Sequence, residues 1–255
     1  MNNNRQITIS IGGSRKETNW KPQVTTIEGL YDRLKTPVTS PETLNEYLAM
    51  PKSQRDELKD VGGFVGGTLS GPRRKVDAVT GRDLITLDFD ALPAHYTDKV
   101  LETLNGLGWS YCVYSTRKHM PTNPRLRVIV PTDRTMTADE YEPCARRVAE
   151  FLGIAMADPT TFEVHRLMYW PSVSSDSEFV YRAVDAPLAG VDALLATYQD
   201  WRNVASWPVV PGATSYQRLA AKQEDPTTKK GIVGAFCRVH DVYDVLANVL
   251  PGLYS

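Results

Sequence analysis

Apolar and polar positions along the chain fall into periods of two and of three to four, and these periods predict its elements. Ile7, Ile9 and Ile11 alternate with polar residues and predict a strand. Thr26 precedes Ile27, Leu30, Tyr31 and Leu34 at helical spacing, which predicts a short capped helix. Ser40-Pro41 predicts the start of another, with Leu44, Tyr47 and Leu48 on one face. Residues 62–75, GGFVGGTLSGPRRK, hold five glycines and end in three cations. They lack the spacing of a phosphate-cradling P-loop. They read either as a turn region or as backbone that comes close to a phosphate or a strand, with Arg73, Arg74 and Lys75 beside it as nucleic-acid contacts.

From residue 83 the pattern strengthens. Leu84–Asp90 predicts a short, largely apolar strand, and Thr97 opens a helix carrying Val100, Leu101, Leu104 and Leu107. Trp109–Thr116 and Leu126–Val130 predict two more strands, the second ending at Pro131. Thr137 and Glu140 form a capping box ahead of Tyr141, Cys144, Ala145, Val148 and Leu152 at helical spacing. Arg166–Trp170 predicts a strand stopped by Pro171, and Phe179–Val184 one more. The order β-α-β-β-α-β is an α+β, ferredoxin-like plan, shared by RNA-recognition modules and by the palm of many polymerases. The plan alone does not choose a function. The expected layout is a domain over 1–185 with its RRM-like core at about 83–184 and an N-terminal α/β extension, a helix and linker over 186–230, and C-terminal helices over 231–255.

Composition narrows the picture in four ways. With 255 residues, 42% hydrophobic, the chain is long enough for one large core. The net charge of −1 means that any nucleic-acid contact must come from local clusters. Cys112, Cys144 and Cys237 are widely spaced, with no CxxC pair, which argues against a zinc ribbon and a disulfide framework, and the apolar neighbours of Cys112 and Cys144 predict buried thiols in a reducing cytoplasm. No apolar run reaches membrane-spanning length.

The sharpest chemical feature is LITLDFDAL. Alternation on a strand sends Asp88 and Asp90 to one face and Ile85, Leu87 and Phe89 to the other. Two adjacent carboxylates repel unless a cation lies between them, and hard oxygen ligands suit Mg2+ or Mn2+. Arg125 and Arg127 share a face of the neighbouring predicted strand, alternating with Leu126 and Val128. The tip before it holds Ser115, Thr116, Arg117, Lys118 and His119. The expectation is acids that hold metal beside bases that hold a triphosphate, with Arg117 a contact to nucleic acid. A third carboxylate completes a two-metal site, and Asp158 is the candidate, with Glu163 the fallback. Asp-Pro is also a common turn opener. His165 and Arg166 stand where they reach phosphates or template.

These motifs resemble the archaeo-eukaryotic primase superfamily, in particular the primase-polymerase domains of phage and mobile-element replication proteins. That family has an RRM-like core with an acidic DxD or DxE on a strand, matched by Asp88-Phe89-Asp90. Its Ser-x-His strand is replaced here by Arg125-Leu126-Arg127, with His119 upstream. Its third motif, an acid followed by an Arg-containing strand, is matched by Asp158 and Arg166-Leu167-Met168-Tyr169. The resemblance implies a template-directed nucleotidyltransferase of phage or plasmid replication in the host cytoplasm. It implies NTPs or dNTPs, a single-stranded DNA template, two Mg2+ or Mn2+ ions held by Asp88, Asp90 and Asp158, and a helicase domain in cis beyond residue 255.

Two other functions stay open. A Toprim-like or nuclease-like phosphodiesterase also uses DxD but needs an earlier glutamate, for which Glu57 is available. A non-catalytic single-strand or origin-binding module would stack bases on Tyr111, Tyr114, Tyr169 or Trp170. A rolling-circle initiator needs HxH, which the four histidines do not form.

Overall fold

A computed structural model of the chain describes residues 4–213 and 231–240. The chain divides into two compact units, Met1–Ala213 and Thr214–Ser255. The first opens with strands β1 (Gln6–Gly12) and β2 (Lys21–Thr26), helix α1 (Ile27–Lys35), β3 (Val38–Ser40), α2 (Leu44–Ala49) and α3 (Lys52–Leu58). Two short strands, β4 (Gly63–Val65) and β5 (Gly67–Leu69), lead into β6 (Val79–Phe89), α4 (Thr97–Leu107), β7 (Tyr111–Ser115), β8 (Leu126–Met136) and α5 (Ala138–Leu152). Strands β9 (Met168–Tyr169), β10 (Ser172–Ser174) and β11 (Tyr181–Val184) and helix α6 (Val191–Leu195) complete it. Of the second unit, helix α7 (Ile232–Val239) is described. The rest of the C-terminal helices expected over 231–255, and residues 214–230 of the expected linker, lie outside the described residues.

Local chemistry explains the boundaries. The Thr26 hydroxyl accepts the Gly29 N–H at the start of α1, and Thr137 and Glu140 close the expected capping box on α5. Helix α4 stops at Gly108, in the left-handed conformation. Strand β8 runs through Pro131 rather than stopping there. Pro131 pairs in register with Leu84, and the register shifts just beyond it, between Leu84 and Arg82 of β6.

The fold is α+β, and the β6-α4-β7-β8-α5 run follows the expected plan, with the central strands side by side in the order β7-β8-β6. Ile85, Leu87 and Phe89 of β6 join Tyr111, Val113, Leu126 and Val128 in a core against α4, α5 and α6. The other face of the same sheet, carrying Leu84, Cys112, Tyr114 and Ile129, packs on Ile7, Ile9, Leu30 and Phe64 of the N-terminal elements. Cys112 and Cys144 are buried free thiols, as expected.

The last strand of the plan differs from expectation. Met168–Tyr169 pairs with β4 in a separate sheet, β2-β1-β4-β9, and the place beside β6 is taken by β5. Glycine decides this exchange. A Cβ on Gly67 would run into the Gly81 carbonyl of β6, and one on Gly63 into the Met168 carbonyl of β9. The glycine-rich segment therefore serves close backbone approach to strands. Gly67→Ala is expected to cost about 1–3 kcal/mol of stability, read from denaturant unfolding, because the backbone on both sides must move. Among the described residues no helix is long and apolar enough to cross a membrane.

Candidate active site

Asp88 lies on β6 directly across from Arg127 of β8, and Arg127 in turn lies across from Tyr114 of β7. All three side chains point to the face covered by the N-terminal elements. That cover leaves a cavity of about 650 Å³, bordered by Asp88, Asp90 and Asp158. Arg125, Arg127, Lys118 and Arg166 border it too, as do Ser115 and Thr116. Glu163, His165, Arg74 and Arg117 complete its share of the residues expected from sequence. Arg73 and Lys75 are exposed and do not border it.

The carboxylates are answered by arginines. Asp90 Oδ1 is 2.9 Å from Arg125 Nη1, and Asp88 Oδ2 is 3.5 Å from Arg127 Nε. Asp158 reaches the site because its loop is fastened to β6. Its N–H donates to the Asp88 carbonyl at 2.8 Å, and the Asp88 N–H donates to Thr161 Oγ1 at 2.8 Å. Asp158 Oδ1 accepts from the Thr160 N–H and hydroxyl, and Oδ2 lies 2.6 Å from Arg166 Nη2. The turn opener and the acid that borders the cavity are thus the same aspartate.

Burial pushes the Asp88 carboxyl above its ordinary value, with Asp90 and Asp158 adding to the push and Arg127 opposing it. Burial also acts to raise Asp158, but the Thr160 donors and Arg166 outweigh it and hold that carboxyl low. The Lys118 amine is held below the usual lysine value by burial and by the nearby Arg55, Arg125 and Lys59. Burial likewise lowers His165, and Arg74, Arg82 and Arg166 add to this, so the imidazole is neutral near pH 7.

Asp88 Oδ1 is buried and has no hydrogen-bond partner among the described residues. An orphaned oxygen next to a second carboxylate fits a hard divalent cation that completes its shell with water and substrate phosphate. The expected set of three carboxylates is not assembled, since among the described residues no group of three or more acidic, His or Cys side chains is placed to hold a metal. In the free protein both Asp158 oxygens have partners and Asp90 Oδ1 is paired with Arg125, so the unpaired buried oxygen belongs to Asp88.

Two expected site residues have other duties. His119 is buried, does not border the cavity, and its Nδ1 accepts the Arg125 N–H at 3.2 Å. It shapes the tip that carries Arg125. Arg117 is buried against Glu42 and Ser40, donates to the Leu58 carbonyl, and stacks over Tyr47. Its charge is answered within the protein by Glu42, at the border of the cavity. Conversely, Arg15, Lys16 and Lys59 border the cavity without having been singled out. Arg15-Lys16 directly follow the Gly-Gly-Ser turn after β1, a basic pair at a strand end that was available as a signal. Tyr169 stands between Lys59 and Arg127, its ring 5.2 Å and 5.5 Å from their charges.

Residues 1–210 match the family model described as the VapE N-terminal domain. The chain belongs to the VapE N-terminal domain family. No curated protein matches it. Among solved structures, this VapE N-terminal domain is similar to the AEP domain of the cyanophage S-2L primase-polymerase (PrimPol). The TM-score is 0.41 and the identity 10%, over 76% of this chain and 88% of that one.

Proposed function

We propose that this domain is a metal-dependent, template-directed nucleotidyltransferase, a primase-polymerase that joins nucleotides on single-stranded DNA during phage or plasmid replication. One observation carries the reading: Asp88 and Asp90 border the same cavity as Arg125 and Arg127 from the adjacent strand. Acids for a cation and bases for phosphates then meet at fixed spacing on a rigid sheet. Asp88 and Asp90 would hold Mg2+ or Mn2+. Bound there, the ion supplies Lewis acidity that stabilises negative charge on the reacting phosphate. Arg125, Arg127, Lys118 and Arg166 bind and orient the polyphosphate, with Arg127 held in place by the Tyr169 carbonyl at 3.1 Å.

The rival readings fit the cavity less well. Glu57, which a Toprim-type site would need, is exposed on α3 and does not border it. For a pure binder, Tyr111 and Tyr114 are buried, while Tyr169 and Trp170 border the cavity, the first against Lys59 and Arg127 and the second against Phe64 and Arg33. Incubating the protein with labelled template, with and without primer, nucleotides and Mg2+ or Mn2+, separates synthesis from degradation. Nucleotide-dependent lengthening supports the proposal, and shortening without nucleotides favours the phosphodiesterase.

The raised Asp88 carboxyl gives a pH dependence. A cation needs the deprotonated form, so affinity for Mn2+ is expected to fall as pH drops. Because the pKa is raised, the fall should begin above the value of about 3.9 typical of free aspartate. Calorimetric Mn2+ titration across acidic pH measures the midpoint.

A further inference from the structure

We propose that Arg125 and Arg166 exchange partners on ligand binding, so that the cation and the nucleotide bind cooperatively. This rests on the nucleotidyltransferase reading and extends it to how the two ligands depend on each other. In the free protein Arg125 lies 2.9 Å from Asp90, and Arg166 lies 2.6 Å from Asp158, both inside the cavity. Each pair holds back two resources at once: a carboxylate that a cation needs and a guanidinium that a phosphate needs.

A cation arriving alone must compete with the arginine for the carboxylate. A nucleotide arriving alone must draw the arginine away and leave a bare carboxylate beside its phosphates. Together, both demands are met by one rearrangement, in which each arginine passes from carboxylate to phosphate and the freed carboxylate turns to the cation. The two affinities are then linked by one shared factor.

The geometry singles out these two arginines. Their side chains are 25% and 24% exposed. Arg127 is 10% exposed and is also tied to the Tyr169 carbonyl, so it stays in place.

The test is Mn2+ binding followed by the electron paramagnetic resonance of free Mn2+, with and without a non-hydrolysable deoxynucleoside triphosphate. Without nucleotide, Arg125→Gln and Arg166→Gln should bind Mn2+ about twofold to fivefold more tightly than the wild type, the range that a partly exposed ion pair withholds. With nucleotide, the wild type should gain more affinity for Mn2+ than either variant. Arg134→Gln, whose partners Glu140 and Asp192 do not border the cavity, should match the wild type throughout. Variants that bind Mn2+ alone as weakly as, or more weakly than, a wild type that does bind it would overturn the exchange and leave the nucleotidyltransferase reading standing. A wild type that binds no Mn2+ with or without nucleotide would overturn both.

Discussion

Asp88→Asn is expected to lower nucleotide incorporation by about a thousand-fold or more while the protein stays folded. The amide keeps the size of the carboxyl and removes the charge on which the cation depends. The fold should tolerate this. Asp88 is buried, its carboxyl is pushed above the ordinary value by that burial, and Arg127 opposes the push. A raised carboxyl means that folding disfavours the charged form, but the buried Arg127 beside it is stabilised by that charge, so neutralisation relieves one cost and adds another, and the net change in stability should be small. Primer extension rates and a thermal melt, taken on the same preparation, check both halves. Retained extension would remove Asp88 from the chemistry. Lost extension with a large fall in melting temperature would make its role structural.

Arg82→Ala is expected to have the largest effect on stability. The Arg82 guanidinium is fully buried and donates to the Leu84 carbonyl at 3.1 Å, the Val164 carbonyl at 2.6 Å and Thr86 Oγ1 at 2.8 Å. It also sits 4.0 Å from the centre of the Tyr141 ring. Truncation leaves buried acceptors without donors, each costing about 1–3 kcal/mol, and opens a void. A total of roughly 3–5 kcal/mol is expected, a fall in melting temperature of about 6–20 °C for a unit of this size. Activity should fall as well, because the Val164 contact fastens the loop that carries Asp158 and Arg166. Circular dichroism melts measure the stability effect, and a loss below about 1 kcal/mol would contradict it.

Particular residues show how far the sequence reaches. The alternation in LITLDFD was legible because strand geometry forces it, and Ile85, Leu87 and Phe89 do enter one core while Asp88 faces away. Arg125 and Arg127 were legible for the same reason. The destination of Met168–Tyr169 was not. Its partner strand is set by Gly63, more than a hundred positions earlier, where the missing side chain admits the Met168 carbonyl. Arg117 looked like a surface cation at a hairpin tip, because nothing local marks Glu42 as its partner. Lys59 lies just past the end of a polar helix with no signature of its own, and only tertiary packing brings it to the cavity. Asp158 was legible twice over, as a turn opener and as an acid near the site, and it fills both positions with Arg166 as its partner.

The most direct test is extension of a labelled primer on single-stranded DNA by the purified chain, with Mg2+ or Mn2+ and with either NTPs or dNTPs. A ladder of longer products that needs the divalent cation, vanishes with a chelator and is lost in Asp88→Asn is the predicted result. Absence of any extension under all these conditions by a folded protein, or a ladder undiminished in Asp88→Asn, would contradict it.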